Sequence, residues 1–219
     1  MKNTVILIKT HVINKQFERL YDELVKIHDV FILFDKPIGR ENFIFTNFDE
    51  LKDYECTRRN KYWYYNHYSL LYFYEKINNK YDFYWFIEHD VRYSGEWLDF
   101  FSKFSNVDDD LVCGRLSKPN KDWCWFYDRN FNDCDIFMMI GSIYRMTNRA
   151  VKLIHEAQVS GVMGFNELLI PSILNKYKYK ISDFNNHFEA YYDDTYWWDL
   201  RVFDDKIKNK LWHKIVDGD

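Results

Sequence analysis

Three short apolar runs limit the folds that are open to this chain. They are TVILIK at residues 4–9, DVFILF at residues 29–34 and FYWFI at residues 83–87. Continuous apolar runs of this kind are typical of strands that are covered on both faces of a sheet. The segment KQFERLYDELVKI, between the first two runs, places its apolar residues at helical spacing. The N-terminal part of the chain therefore predicts buried strands joined by a helix.

Strands and helices continue to alternate further along the chain. Residues 60–77 contain no helix breaker and are apolar on almost all sides, which favours a helix packed inside the protein. Residues 118–135 fit no period and predict a long loop, and the tail over residues 186–219 also lacks a clear period. Further strands are predicted at NFIFTNF, DLVCGR, IFMMIGSIYRM and, at a sheet edge, YKYKISDF, with helices at GEWLDFFSKF, TNRAVKLIHEA and ELLIPSILNKY. This order predicts an α/β protein, a three-layer α/β/α sandwich around a mainly parallel central sheet.

Length and composition fit one domain over residues 1–219. Of its 219 residues 47% are hydrophobic and 29% charged, enough for a sizeable core beneath a polar surface. The net charge is −4 and no basic block occurs, so nucleic acid is not an expected partner. No apolar run is long enough for an integral membrane segment, and we expect a soluble, cytoplasmic protein. Scattered cysteines without zinc-ligand spacing are expected to be reduced thiols, namely Cys56, Cys113, Cys124 and Cys134.

Two acids directly follow the third apolar run. In extended backbone, residues two apart point to the same side, so Glu88 and Asp90 are expected to converge while His89 faces away. Two close carboxylates repel each other unless a cation neutralises them, and Mg²⁺ and Mn²⁺ prefer such oxygen ligands. The pattern therefore predicts a divalent cation at the end of a central strand. The alternative is that both acids cap the next helix or face solvent.

With this motif in this position, the chain resembles the GT-A glycosyltransferases, whose hallmark is a DxD-type motif at a strand end. Here the motif reads Glu88-His89-Asp90, so the first acid departs from the usual Asp. The resemblance implies a nucleotide-binding half over about residues 1–92 and an acceptor-binding half over about residues 93–219. It also implies that Asp90 binds Mn²⁺ or Mg²⁺, and that Glu88 contacts the ribose of the donor or reaches the metal through water.

The same resemblance implies further donor and metal contacts. Thr10 and His11, beside Lys9 at the end of the first strand, are expected near the nucleotide. Asp35, after the second strand, is expected near the base or ribose. His213, in NKLWHKI, is expected to complete the metal shell. The alternatives are turn or helix-capping roles for Thr10 and Asp35, and a surface position for His213.

An inverting enzyme of this class needs a carboxylate base, and Glu167 in GVMGFNELLIP is the candidate. An acid in the first turn of a helix is also stabilised by the helix dipole without any catalytic role. The rival bases lie in the long loop and are Asp128, Asp133 and Asp135. Gly141 and Ser142 are predicted either to bring backbone close to the sugar or to form a strand bulge.

The long loop also contains an aromatic cluster, suited to stacking on sugars or to packing over the core; its members are Trp123, Trp125, Phe126 and Tyr127. The expected function is metal-dependent, inverting transfer of a sugar from a nucleoside diphosphate sugar to a hydroxyl of a glycan or other acceptor. The alternatives are a non-catalytic carbohydrate-binding or scaffold protein, a glycoside hydrolase that needs no metal, and a sugar nucleotidyltransferase. The last normally has a glycine-rich loop after the first strand, which KTHVINK lacks.

Overall fold

The computed structural model describes residues 2–46, 65–77, 80–188, 196–204 and 206–215. The strands in these ranges are β1 (Thr4–Thr10), β2 (Asp29–Phe34), β3 (Phe43–Phe45), β4 (Phe83–Glu88), β5 (Arg92–Tyr93), β6 (Leu111–Ser117), β7 (Met138–Thr147), β8 (Ile181–Asp183), β9 (Tyr196–Arg201) and β10 (Leu211–Ile215). The α-helices are α1 (Lys15–Leu24), α2 (His67–Ile77), α3 (Trp97–Ser102), α4 (Asn148–Val159) and α5 (Asn166–Lys176), with a short 3₁₀ helix at Phe184–Asn186. Apart from β5, the predicted order of strands and helices is confirmed up to β8.

A seven-stranded sheet with the order β3-β2-β1-β4-β7-β6-β8 forms the centre of the protein. The strands β3, β2, β1 and β4 are parallel, β7 is antiparallel to both of its neighbours, and β8 is parallel to β6. The sheet is mainly parallel, as predicted, and β8 lies at its edge, as the alternation in YKYKISDF indicated. The carboxyl ends of β1, β2 and β4 lie side by side along one side of the sheet, which we call its carboxyl edge. Parallel α/β sheets bind ligands at this position.

Both faces of this sheet are buried. Along β1, Val5 and Leu7 belong to one core cluster, whereas Ile6 and Ile8 belong to the other. The first cluster includes the apolar face of α2, and the second includes the aromatic residues of α3, where Trp85 of β4 contacts Phe101 with ring centroids 5.1 Å apart. Burial on both faces explains why the strand sequences do not alternate.

Two helix predictions are settled in detail by the structure. The helix predicted over residues 60–77 is present from His67, and residues 60–64 lie outside the described ranges. For α4 the structure selects Thr147 as the N-cap, because its side chain accepts a hydrogen bond from the Ala150 N–H at 3.3 Å. The loop predicted over residues 118–135 lies between β6 and β7 and contains no helix or strand.

A second, three-stranded sheet with the order β5-β10-β9 was not predicted. The tail over residues 186–219 showed no period, yet residues 196–201 and 211–215 of it are strands. Strand β10 pairs antiparallel with β5, which has only two residues. Such short strands give no periodic signal, and their pairing joins distant parts of the chain. This sheet brings β10 to the end of β4.

Other predictions were tested in part. Within the described ranges no helix is long and apolar enough to cross a membrane. Cys113, Cys124 and Cys134 are free thiols. Cys56 lies outside the described residues.

Candidate metal centre at the carboxyl edge of the sheet

Three metal-ligating side chains meet beyond the end of β4. Glu88 is the last residue of β4, Asp90 follows two residues later, and His213 lies in β10. The His213 Nε2 is 3.5 Å from Glu88 Oε2 and 3.8 Å from Asp90 Oδ1. One ligand atom from each residue lies within 4.8 Å of the other two. The structure thus brings together the three residues that the sequence proposed as metal ligands.

The two acids converge by a route that differs from the expected one. Strand β4 ends at Glu88, and the Val91 N–H donates to the Glu88 carbonyl at 3.1 Å, so the chain turns at Asp90 and is not extended. The Asp90 carbonyl then accepts a hydrogen bond from the Ile215 N–H of β10 at 3.1 Å. A turn held by β10, rather than strand alternation, therefore brings Asp90 to Glu88 and His213.

The electrostatics of the cluster favour a cation. Burial raises the pKa of Asp90, and the negative charge of Glu88 raises it further. Burial also acts to raise the pKa of Glu88, but hydrogen bonding and the charge of His213, with the amide of Asn66, lower it overall. A bound cation would offset the effect of the Glu88 charge on Asp90. The donor set of two carboxylates and one imidazole fits a divalent metal ion.

The predicted donor-binding residues at the end of β1 have different surroundings. Thr10 is buried, and its hydroxyl accepts a hydrogen bond from the Val12 N–H at 3.1 Å, which corresponds to the turn role. His11 is exposed, and its ring meets the ring of His89 edge-on with centroids 5.0 Å apart. Both histidines therefore lie at the same edge of the sheet as the cluster.

Asp35 directly follows β2 and lies near Lys9, which is close to the carboxyl end of β1. Burial lowers the pKa of Lys9 to about 8, against the opposing charges of Asp35 and Glu88. The Asp35 Oδ1 is enclosed and has no hydrogen-bond partner among the described residues. An enclosed acceptor at the carboxyl end of β2 is available to a ligand that donates hydrogen bonds.

Glu167 lies in the first turn of α5, and its Oε1 accepts a hydrogen bond from the Gly141 N–H at 2.7 Å. Burial raises the pKa of Glu167 to about 7; the Gly141 N–H opposes this rise, and the charge of Glu88 adds to it. Glu167 is therefore close enough to the metal cluster to be influenced by its charge. Among the rival bases, Asp133 and Asp135 form exposed ion pairs with Lys176 and Lys118, and Asp128 is half-buried.

Gly141 lies at a strand irregularity. The pairing of β7 with β6 shifts between Tyr144 and Ile140, so the bulge alternative describes Gly141 and Ser142. A Cβ at position 141 would lie 2.8 Å from Asn166 Nδ2. The glycine is therefore needed for close approach of the α5 N-terminus.

The aromatic cluster of the long loop is divided between core and surface. Trp125 stacks on Phe165 with ring centroids 5.1 Å apart, and Trp123 meets the same ring edge-on. Both tryptophans thus pack against the core. Tyr127 has 74% of its surface exposed and contacts the Phe126 ring. Of the four rings, only that of Tyr127 is largely exposed.

Sequence reasoning missed two buried asparagines that contact the cluster. Asn66 donates from Nδ2 to Glu88 Oε1 at 2.8 Å, and Asn166 donates from Nδ2 to Asn66 Oδ1 at 2.7 Å. A polar residue inside the otherwise apolar run before α2 was the signal for Asn66. Asn166 gave no separate signal, because asparagine is common where a helix begins.

Comparison with known proteins tests the fold. No family model and no curated protein matches the sequence. Among solved structures, 4-diphosphocytidyl-2C-methyl-D-erythritol synthase from Anaerococcus prevotii superposes with a TM-score of 0.50 at 11% identity, over 83% of this chain and 88% of that one. A glycosyltransferase involved in glycosylation of the major capsid of PBCV-1 has a TM-score of 0.47 at 8% identity, over 83% and 81%. The inositol-1-phosphate CTP transferase from T. maritima has a TM-score of 0.47 at 11% identity, over 84% and 85%. With its central mainly parallel sheet, the chain has the mixed α/β fold of the nucleotide-diphospho-sugar transferases, the fold that the resemblance to GT-A enzymes implied.

Proposed function

We propose that this protein is a metal-dependent glycosyltransferase that moves a sugar from a nucleoside diphosphate sugar to a hydroxyl of a glycan or other acceptor. The observation that carries the proposal is the meeting of Glu88, Asp90 and His213 at the carboxyl edge of the parallel strands. This edge is where the fold class binds its ligands. A site of this composition is suited to hold a cation against a diphosphate.

Each part of the proposed site has a separate role. Glu88, Asp90 and His213 hold the cation, for which Mn²⁺ and Mg²⁺ are the proposed identities. A divalent ion bound there offsets the negative charge that develops on the departing diphosphate. Asp35, with its enclosed oxygen, accepts hydrogen bonds from the base or ribose. Residues 1–92 supply most of this donor site, with Thr10 and His11 at its edge.

The acceptor is proposed to react on the side of residues 93–219. Glu167 is the proposed base, which takes the proton from the acceptor hydroxyl and leaves the product with inverted configuration. Its pKa of about 7 suits that role, since a general base works best when its pKa is near the working pH. Tyr127, which is largely exposed, offers an aromatic surface for an acceptor sugar beside the half-buried Phe126.

The first test is donor binding and turnover with and without a metal. A panel of nucleotide sugars is screened for a rise in melting temperature and for release of nucleoside diphosphate, in Mn²⁺ and in EDTA. We expect one class of donor to stabilise the protein only with Mn²⁺. Release of nucleoside diphosphate that persists in EDTA contradicts metal-dependent transfer. Cleavage of a glycoside in EDTA without any nucleotide points to a glycoside hydrolase, and binding without turnover in any acceptor mixture points to a carbohydrate-binding protein.

The second test removes the proposed metal ligand. Asp90→Ala is expected to reduce turnover by at least about 100-fold and to abolish Mn²⁺ binding, because the cation loses a carboxylate. Asp99→Ala, an exposed acid on α3, is the matched control and should behave as the wild type. Wild-type turnover in Asp90→Ala would refute the proposed site.

A sugar nucleotidyltransferase is the second candidate, because the synthase with a TM-score of 0.50 is named for a diphosphocytidyl compound. The turn after β1, however, contains no glycine, and the neighbouring Lys9 is buried. Product analysis separates the two reactions. A nucleotidyltransferase joins a sugar phosphate to a nucleoside triphosphate and releases pyrophosphate. A glycosyltransferase releases nucleoside diphosphate from its donor.

A further inference from the structure

Two buried asparagine side chains form a bridge from the N-terminus of α5 to the metal cluster. Asn166 has 1% of its surface exposed and Asn66 has 5%. The Asn166 Nδ2 donates to Asn66 Oδ1 at 2.7 Å, and the Asn66 Nδ2 donates to Glu88 Oε1 at 2.8 Å. We call this arrangement the amide bridge. It joins the residue just before α2 and the first residue of α5 to the last residue of β4.

The direction of the amide bridge follows from the chemistry of Glu88. An ionised carboxylate only accepts hydrogen bonds, so Asn66 must turn its NH₂ group towards Glu88. The Asn66 carbonyl oxygen then faces Asn166, which must present its own NH₂ group. The Asn166 Oδ1 at the far end is enclosed and has no hydrogen-bond partner among the described residues.

The amide bridge divides the two oxygens of Glu88 between separate tasks. Oε1 is held by the Asn66 amide, whereas Oε2 is the oxygen that lies 3.5 Å from His213 Nε2. A neutral amide orients the carboxylate, whereas a lysine or arginine in its place would also neutralise the negative charge. Glu88 therefore turns Oε2 towards the other ligands while Oε1 is held by Asn66.

The neighbourhood of Gly141 is built around the same bridge. A Cβ at position 141 would lie 2.8 Å from Asn166 Nδ2 and 3.2 Å from Glu167 Cγ. Both distances are shorter than an ordinary van der Waals contact, so a side chain there would displace Asn166. The absence of a side chain at position 141 leaves the space in which the Asn166 amide lies.

We propose that Asn66 and Asn166 are positioning residues for the metal site, where their amide bridge fixes Glu88 as a ligand through one oxygen. The proposal rests on the proposed metal site. Neither asparagine touches the cation. Their effect is on the affinity of the site for the cation, because partners that orient a metal ligand typically contribute about 10- to 100-fold to that affinity.

The experiment measures Mn²⁺ affinity by calorimetry on purified, folded protein, so that its readout does not depend on activity. Asn66→Ala and Asn166→Ala are expected to weaken Mn²⁺ binding by at least about 10-fold. The double variant should bind no more weakly than Asn66→Ala, because both residues act through one path. The matched control is Asn148→Ala: Asn148 is also the first residue of a helix, and its side chain donates to the Tyr81 carbonyl near the amino end of β4. This control should bind Mn²⁺ as the wild type does.

Each result decides between the proposals. If the wild type binds Mn²⁺ and both Asn66→Ala and Asn166→Ala bind it with the same affinity, the amide bridge is refuted and the metal site is not. No Mn²⁺ binding by the wild type refutes the metal site and the bridge together. If neither asparagine variant folds, as judged by circular dichroism, Gly141→Ala gives the answer: it keeps both amides but displaces Asn166, and unchanged affinity in that variant refutes the bridge.

Discussion

Burial of Glu167 has two opposing consequences: it lowers the stability of the fold at neutral pH, and it gives the carboxyl group a pKa that suits a general base. A carboxyl group with an ordinary pKa of 4.5 is raised to about 7 here, chiefly because burial disfavours its charged form. Between these two values the folded protein holds a proton that the unfolded chain has lost. Stability therefore falls as the pH rises from about 4.5 to about 7, and the loss is complete above the folded-state pKa. The same shift makes Glu167 a suitable proton acceptor near neutral pH.

Replacing Glu167 with Gln separates the effect on stability from the effect on turnover. The variant keeps an acceptor for the Gly141 N–H but cannot ionise, so in EDTA at pH 8 we expect it to be more stable than the wild type by about 1–3 kcal/mol. At pH 4 both proteins are uncharged at this position, and the difference should vanish. Urea unfolding at both pH values measures it. Turnover should fall by at least about 100-fold while donor affinity is kept. A stability difference that does not change with pH would show that burial does not raise the pKa of Glu167.

At the level of single residues, the sequence predicted part of the candidate site. Glu88 and Asp90 stood out because acids directly follow a buried apolar run, and this signal is local. The position of Asp90 in a turn was not predicted, and the hydrogen bond that the Ile215 N–H donates to the Asp90 carbonyl joins segments far apart in the sequence. Asn66 was missed for a related reason: its role depends on Asn166, which meets it only in the folded chain.

Helix α4 begins at the edge of the sheet opposite the candidate site. Its N-cap, Thr147, is the last residue of β7 and pairs with Phe83, the first residue of β4, whereas Glu88 is the last residue of β4. Thr147 also donates from its hydroxyl to Asp110 Oδ1 at 2.9 Å, and Arg149 binds the same buried carboxylate through two hydrogen bonds of 2.6 Å. The hydroxyl of Thr147 thus joins the helix start to a buried charge.

Substitution of this cap should change stability without changing the site. We expect Thr147→Ala to lower the free energy of unfolding by about 1–2 kcal/mol, because it removes the N-cap and one hydrogen bond to Asp110. Thr147→Ser keeps the hydroxyl and should lose much less. Urea unfolding gives the stability change, and calorimetry should show the same Mn²⁺ affinity in both variants. Weaker Mn²⁺ binding in Thr147→Ala would mean that the two edges of the sheet are coupled.

At the level of elements, predictability followed the range of the interactions. The long strands β1, β4 and β7 and the helices α1 and α4 were predicted because each buries a continuous run or an apolar stripe of its own sequence. Strands β5 and β10 were not predicted. Each is short, and each forms by pairing with a segment distant in sequence: Leu211 pairs with Tyr93, and Trp212 pairs with Arg92. A pattern within one segment cannot indicate such a pairing.

The candidate site joins the two sheets of the protein. Glu88 belongs to the large sheet, whereas His213 belongs to β10 of the small sheet, and the backbone of β10 also contacts Asp90 through the Ile215 N–H. A cation bound by all three ligands would therefore link β10 to the end of β4 more strongly than hydrogen bonds alone. Metal binding is thus expected to stabilise the position of the tail as well as the site.

Hydrogen exchange measures this link directly. With Mn²⁺ at about 100 times its dissociation constant, the bound state gains about 2.7 kcal/mol over any opened state that has lost the site. Amides of residues 211–215 that exchange by local opening of β10 should then slow by up to about 100-fold. Amides of α4 that exchange by local opening should not change. In His213→Ala the protection by Mn²⁺ should disappear, whereas His155→Ala, a histidine of α4, should retain it. Equal protection of residues 211–215 in His213→Ala would place the cation elsewhere and remove β10 from the site.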